Sequence, residues 1–312
     1  MLYWRNNMIR KQKIITVFTP TYNRAYCLHH LYDSLCRQTI NDFKWLIIDD
    51  GSSDNTKELV DYWIAEDKIQ IEYCYKENGG MHTGHNKAYE LIDTELNVCI
   101  DSDDYMPDNA IEKIITLWYQ FGNIRYAGII GLDITKNGKI IGTAFPEHLK
   151  ECKYSELYNK YNVIGDKKII YRTDIVKKIP PYPVFDKEKF VPLYYPIVID
   201  KDYSLLCFNE VFCIVDYQED GSTLNIYSQY FKNPLGFKHS RKIEMVFFKS
   251  IKLKFKSAIH FISSKLILKE YNFLKDSPLK FYTFFAIPFG IVWYFNLLLK
   301  KNKLRNISKY VE

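Results

Sequence analysis

Between Lys13 and Gln120 the apolar residues follow two rhythms in turn. Short runs rich in β-branched and aromatic residues (KIITVF, FKWLII, IQIEYCY, LNVCI) alternate with stretches where apolar positions recur every three or four residues. The runs predict a strand in Lys13–Arg24 that ends in a Thr-Pro-Thr loop, a second in Phe43–Thr56 that breaks into acid, Gly and Ser, and strands at Ile69–Tyr75 and Leu96–Ile100. The stretches between them predict helices over Tyr26–Gln38, where Leu28, Leu31 and Leu35 share a face, and over Thr56–Ala65, Gly84–Ile92 and Asn109–Gln120. Asp54 stands where an N-cap for the second helix belongs. Strands alternating with helices imply an α/β fold, a mostly parallel sheet with helices on both faces. In such sheets ligands bind beyond the carboxyl ends of the strands. Four polar clusters fall there: Thr19–Tyr22, Asp49–Ser53, Asn78–His85 and Asp101–Asp104.

The rhythm weakens after Ile134. TKNGK (Thr135–Lys139) reads as a hairpin turn. Pro180, Pro181, Pro183, Pro192 and Pro196 make the middle loop-rich. Apolar positions at three and four resume in Glu244–Leu274, with Phe248, Ile251, Phe255, Ile259, Ile262 and Leu266 on one face and lysines around them. That predicts one basic amphipathic helix. Phe281–Leu299 carries no charge and is bracketed by Lys280 and by Lys300, Lys301 and Lys303. By length it stands at the lower edge of a membrane span. Pro288, Gly290 and Asn296 inside it, and the basic helix before it, favour a tail lying on a lipid surface. The ordinary alternative is a helix pair packed on the rest of the protein.

Composition changes this picture in three places. A hydrophobic content of 47% is enough for a sizeable core. The net charge of +6 hides a polarity: from Gly236 to Glu312 there are 16 Lys and Arg against 4 Asp and Glu, so the front of the chain is acidic. The basic tail suits anionic lipid, and because it is not interleaved with a recognition motif it argues against nucleic acid. Seven cysteines without a C-x-x-C pair suggest reduced thiols and a cytosolic setting. The first ten residues lack the apolar run of a secretory signal, and Met8 is a candidate start.

Carboxylates at a strand end can hold a hard cation through oxygen ligands. Asp101-Ser102-Asp103 in DSDD is such a pair, and a divalent metal there would stabilise charge building on a leaving diphosphate. A solvated turn that caps the next helix is the structural alternative. Asp49 and Asp50 could accept hydrogen bonds from a base or ribose. Thr19-Pro20-Thr21 offers backbone to a flat base and Tyr22 a ring. ENGGMHTGHNKA leads into a helix whose free N–H groups favour phosphate. Neither G-x-G-x-x-G nor a P-loop occurs.

In this order and spacing TPTYNR, IDDGSSDNT, ENGG…HN and DSDD resemble the family 2 glycosyltransferases of bacterial polysaccharide synthesis. The resemblance covers Ile14–Pro107 strongly and continues weakly to Phe237. It implies a GT-A fold, a nucleotide-sugar donor (usually UDP-linked), Mn²⁺ or Mg²⁺, and inversion at the anomeric carbon by direct displacement. By position, Thr19, Pro20 and Tyr22 would meet the base. Asp50, with Asp49 beside it, would bind uracil or ribose, and Asn78 the nucleoside. His85 stands where many relatives have an Arg near the diphosphate. Asp101 would contact ribose and share the metal with Asp103, with Ser102 between them.

Relatives carry the general base after the D-x-D. Here the acid expected after Phe190-Val191-Pro192 is replaced by Leu193, Tyr194 and Tyr195. Asp166, Glu188, Asp200 and Asp202 compete for the role, Asp166 and Glu188 first. The expected organisation is a catalytic domain over 1–237 and a membrane-associating helical tail over 238–312. Expected partners are the nucleotide-sugar donor, a lipid-linked glycan acceptor and the cytoplasmic face of the plasma membrane. The alternatives are a nucleotidyltransferase of related fold, whose Gly-rich basic triphosphate loop TPTYNR lacks, and a non-catalytic sugar-nucleotide-binding scaffold. Slow donor hydrolysis separates an enzyme from a scaffold.

Overall fold

The computed structural model describes residues 13–218 and 226–308, with side chains to residue 301. The candidate start at Met8 and the side chain of Lys303 lie outside what is described. The chain divides into two compact units. The first comprises Met1–Asn78, Thr83–Pro180 and Asp202–Tyr217, the second Gly79–His82, Pro181–Lys201 and Gln218–Glu312.

In the first unit, β1 (Ile15–Thr21), β2 (Phe43–Asp49), β3 (Ile71–Tyr75) and β4 (Leu96–Cys99) run parallel in the order β3-β2-β1-β4. Their register sets Thr21 beside Asp49, Asp49 beside Tyr75 and Phe18 beside Cys99. The strands therefore end together, and the polar clusters leave one edge.

Alternation along β1 explains the layers. Ile15 and Val17 join a core with Leu28, Leu31 and Leu35 of α1 (Ala25–Cys36), Val60 and Trp63 of α2 (Thr56–Glu66), and Ile111 and Ile114 of α4 (Ala110–Phe121). Phe18, one step out of phase, meets His85 and Tyr89 of α3 (Met81–Leu91) on the other face.

The sheet continues as β4-β7-β5-β8-β6. Its members are β5 (Tyr126–Thr135), β6 (Glu151–Cys152), β7 (Lys167–Arg172) and β8 (Ser204–Val215), with α5 (Tyr154–Asn159) and α6 (Thr173–Val176) between them in sequence. β7 is antiparallel to both neighbours, β5 and β8 are parallel, and β6 closes the edge antiparallel. The turn expected after Ile134 forms, with the Thr135 N–H on the Lys139 carbonyl at 2.8 Å. None of the seven cysteines forms a disulfide, and Cys27, Cys152, Cys207 and Cys213 are buried.

The second unit is helical: α7 (Tyr195–Ile199), α8 (Ile226–Lys232), α9 (Pro234–Phe247), α10 (Ile251–Ile267) and α11 (Lys280–Ser308). The single helix expected over Glu244–Leu274 is two. Helix α9 stops at Phe247, Phe248 turns extended, and Ser250 starts α10 by accepting the Leu253 N–H. A side-chain cap supplies an alternative partner for the backbone, and it outweighs the continuous periodicity. Helix α11 includes the uncharged stretch and packs on α10 through Ala286 and Gly290. A Cβ at Gly290 would come within 2.6 Å of the Ile262 Cβ, so the two backbones approach closely there. Phe281, Phe284, Phe285, Phe289, Val292, Phe295 and Leu299 stay exposed.

Candidate active site

The loops after β1 and β2 are latched together. Asn23 adopts a left-handed conformation, and its Oδ1 accepts the Ser53 N–H at 2.8 Å, while its own N–H reaches the Ser52 hydroxyl at 2.9 Å. Asp54 accepts from Ala25 N–H at 3.1 Å and Thr56 N–H at 3.2 Å, serving the starts of α1 and α2 together. Gly51 has φ 84°, and a Cβ there would stand 2.8 Å from the Asn78 nitrogen, so glycine lets the second and third loops meet.

Several predicted nucleoside residues have structural duties. Asp49 is 1% exposed and accepts the Ser52 N–H at 2.8 Å and the Tyr73 hydroxyl at 2.6 Å. Thr19 turns inward and accepts the Trp45 indole N–H at 3.0 Å, leaving only its backbone for a base. Asp50 pairs with Lys76, whose ammonium also reaches the Thr83 hydroxyl at 2.8 Å. The Asn78 amide donates to the Asp50 carbonyl at 2.8 Å. Pro20 is half-buried beside Gly84, and Tyr22 is 49% exposed with its ring open to a ligand. His85 lies edge-on to Phe18, with Nε2 3.8 Å from the Cys99 sulfur. Sequence reading missed Lys76, although a lysine two residues before the Asn78-Gly79-Gly80 turn was a visible signal.

The DSDD loop leaves β4 as a tight turn, with the Asp104 N–H on the Asp101 carbonyl at 3.0 Å. Tyr105 bridges Ile214 in both directions at 3.0 and 2.7 Å, pinning the loop to β8. Asp104 strengthens this by accepting the Asp216 N–H at 3.1 Å and the Cys213 thiol at 3.6 Å, and so does not cap the next helix. Burial pushes its carboxyl up to about 7, Asp101 and Asp103 adding to the push and Lys168 opposing it. Ser102 is buried, and its carbonyl accepts the Cys27 thiol at 3.6 Å. Asp101 is exposed and Asp103 half-buried.

Asp101 and Asp103 offer hard oxygen donors at an open edge, which fits a divalent cation of the Mg²⁺ or Mn²⁺ class. Among the described residues no group of three or more His, Cys, Asp or Glu is arranged to hold a metal. A cation there would draw at most a carboxylate pair from these residues, the rest of its shell coming from water or a ligand.

The two leading base candidates differ sharply. Glu188 is buried, and its two oxygens accept the Leu235 and Gly236 N–H groups at 2.7 Å each, capping α9. Burial raises its pKa against those hydrogen bonds. Asp166 is exposed, and among the described residues its carboxylate has no hydrogen bond or ion pair. The loop carrying it is fixed by Lys167, whose buried ammonium donates to the Ile141 and Ile164 carbonyls at 2.9 Å and the Asp166 carbonyl at 3.0 Å. Asp200 is buried at the end of α7 and Asp202 is exposed.

Strands β5 and β7 add residues that sequence reading did not find. Asp133 is 3% exposed, and its Oδ1 is sealed without a hydrogen-bond partner. Burial pushes it up to about 6, with Asp166 and Asp101 adding and Lys168 opposing. Burial also disfavours charge on Lys168, yet Cys213, Asp133, Asp101 and Asp104 outweigh it and hold the ammonium well above its usual range. In the ladder Lys168 stands opposite Gly131, two residues before Asp133, and so shares a sheet face with Asp133.

A parallel half-sheet, an acidic loop after its last parallel strand and a mixed half-sheet beyond it define a GT-A-type fold. The chain belongs to glycosyl transferase family 2, whose family model matches residues 16–179, just over half of it. It is 25% identical over 145 residues to a hyaluronan synthase of Pasteurella multocida, covering 46% of this chain and 15% of that protein. It is 26% identical over 183 residues to the poly(ribitol-phosphate) beta-N-acetylglucosaminyltransferase TarP of Staphylococcus aureus, covering 57% of this chain and 51% of that protein. The chain thus spans about half or less of the length of these relatives. S. aureus TarS 1-349 in complex with UDP-GlcNAc superposes with a TM-score of 0.57 at 15% identity, covering 93% of this chain and 92% of that one. The mannosyltransferase PcManGT from Pyrobaculum calidifontis, in complex with GDP-Man and Mn²⁺, gives 0.53 at 13%, covering 93% and 80%. At such identities the likeness is one of fold.

Proposed function

We propose that the chain is an inverting, metal-dependent glycosyltransferase that moves a sugar from a UDP-sugar to a hydroxyl of a lipid-linked glycan. The observation carrying this reading is the shared edge of β1, β2 and β4, where the motif loops leave side by side with Asp101 exposed and Asp103 half-buried. TarS was captured with UDP-GlcNAc and PcManGT with Mn²⁺, which supports the donor class and a metal.

In this mechanism Tyr22, Pro20 and the Asp50–Asn78 region hold the nucleoside, and His85 stands near the diphosphate. Asp103, with Asp101, would hold Mn²⁺ or Mg²⁺, which supplies positive charge against the departing diphosphate. The acceptor hydroxyl attacks the anomeric carbon opposite that group, and Asp166 takes its proton. Asp166 is preferred to Glu188 because its carboxylate is open, whereas Glu188 has spent both oxygens on α9. The test is donor hydrolysis by the full chain with Mn²⁺ and common UDP-sugars. Turnover lost in Asp103→Ala is expected, and unchanged turnover refutes the metal role.

The exposed aromatic face of α11 supports attachment of the helical tail to the cytoplasmic side of the plasma membrane. Lys280–Lys301 is long and apolar enough to cross a bilayer by length and composition. One face, however, is committed to α10 through Ala286 and Gly290, which favours lying on the surface. Lys300 donates to the Tyr227 hydroxyl at 2.7 Å and Lys301 covers the Phe231 ring, so head-group contact falls to the other basic residues. Replacing Phe284, Phe285 and Phe289 together by Ser should lower binding to anionic vesicles at least tenfold, given about 1.5–3 kcal/mol per fully buried large apolar side chain. Unchanged co-sedimentation counts against a membrane face.

A further inference from the structure

The carboxylate of Asp133 makes poor sense as a structural group. An oxygen removed from water without a hydrogen bond costs free energy, more so when charged. Buried polar atoms in native proteins are nearly all satisfied, and exceptions call for a reason. Asp133 Oδ1 is such an exception, at 3% residue exposure on β5. Lys168 on β7 stands opposite Gly131, two residues before Asp133 on β5 and so on the same face of the sheet, and Asp133, Asp101 and Asp104 favour its charged form. An acceptor without a donor next to a fixed ammonium complements an alcohol, which both donates and accepts.

We propose that Asp133 and Lys168 read a hydroxyl group of the transferred sugar, the Asp133 carboxylate accepting its O–H and the Lys168 ammonium donating to its oxygen. This rests on the nucleotide-sugar reading of the same edge. Three facts direct the pair toward the sugar. First, β8 sets Cys213 beside Asp133, the Cys213 thiol meets the Asp104 carboxylate of the D-x-D loop at 3.6 Å, and β7 sets Lys167, the residue after Asp166, beside Leu132. Asp133 thus stands between the D-x-D loop and the proposed base, and after burial it is Asp166 and Asp101 that disfavour its charge. Second, Tyr154 and Tyr158 pack edge to face at 5.3 Å, and Tyr158 feels both Asp166 and Asp133. Tyrosine joins an apolar ring to a polar tip, which suits the mixed C–H and O–H surface of a hexose. Third, Lys168 compensates the carboxylates before any donor arrives, so the floor of the site is in place beforehand.

The test uses the full chain, calorimetry with UDP, and Mn²⁺-supported hydrolysis of UDP-glucose, UDP-galactose, UDP-GlcNAc and UDP-GalNAc. In the wild type one member of a C4-epimer pair should be hydrolysed at least tenfold faster. Asp133→Asn should lower kcat/KM for the preferred donor about 10–100-fold and shrink the epimer ratio, as loss of a charged hydrogen bond would. Affinity for UDP should stay within about threefold. Lys168→Gln should act in the same direction, and it decides the matter if Asp133→Asn fails to fold in a thermal melt. Unchanged rate and epimer ratio overturn the proposal, as does a parallel loss of UDP affinity, which would mark a structural role. A wild-type chain that binds no UDP overturns the nucleotide-sugar reading itself, and this proposal with it.

Discussion

The carboxylates of Asp49 and Asp50 after β2 and that of Asp133 on β5 are about equally hidden and very differently served. Asp49 accepts a backbone N–H and a tyrosine hydroxyl, and Asp50 pairs with Lys76. Asp133, in contrast, keeps an oxygen without a partner, and burial raises its pKa. Where a carboxylate is satisfied by its own chain, it builds the loop. Where it is left wanting, the fold bears a cost, and such places are where function concentrates. The comparison separates two groups of acids that look identical in a sequence.

The largest effect should fall on the D-x-D pair. Asp103→Ala should cut turnover about 10³-fold, the scale on which removing one electrostatic stabiliser of a developing charge acts. UDP affinity measured without metal should hardly change, and a loss below tenfold would place Asp103 with the loop-building acids. Next comes the base. Asp166→Asn should lower kcat about 10²–10⁴-fold with KM for the donor little changed. Glu188→Gln should leave kcat within a few-fold and cost about 1 kcal/mol of stability through the weakened cap of α9. The reverse outcome, a catalytic Glu188 and a silent Asp166, would break the distinction between engaged and open carboxylates.

Much of this was legible before the fold was known. The four motif loops fell at strand ends because β1, β2, β3 and β4 are short, apolar and separated by regular helices. Their register then carries the polar residues to one edge without further information. Strands β5 and β7 left weaker marks. Gly128 and Gly131 interrupt the alternation of β5, and its ladder with β8 shifts register at three points. Asp133 read as one acid in an unpatterned stretch, and Lys168 as one lysine of a DKK run. Only pairing of β5 with β7, sequence-distant and antiparallel, puts them in one electrostatic field. The Glu188 cap was hidden for the same reason, since its partners Leu235 and Gly236 lie far along the chain. The break at Phe248 escaped because Ser250 fits an amphipathic pattern as well as it starts a helix.

The finest test of the comparison makes one substitution in both groups and reads the sign. Asp49→Asn keeps the shape but gives up charge-assisted acceptance from Ser52 and Tyr73, so it should destabilise by about 1–2 kcal/mol in a denaturant melt. Asp133→Asn should do the opposite. The Asp133 carboxyl titrates near 6 when folded and near 4 when unfolded. Its ionisation therefore favours the unfolded chain. The cost is absent below the unfolded value, grows between about pH 4 and 6, and is complete above the folded value. The variant should gain about 1–2 kcal/mol at pH 8, part of the possible gain being lost with a counter-charge for Lys168. That gain should fade toward pH 4 as the wild-type carboxyl protonates. A buried acid that destabilises its own fold and is nevertheless needed for discrimination between sugars is what a ligand-directed carboxylate requires. An Asn at 133 that costs stability at pH 8, as at 49, would put Asp133 among the loop-building acids.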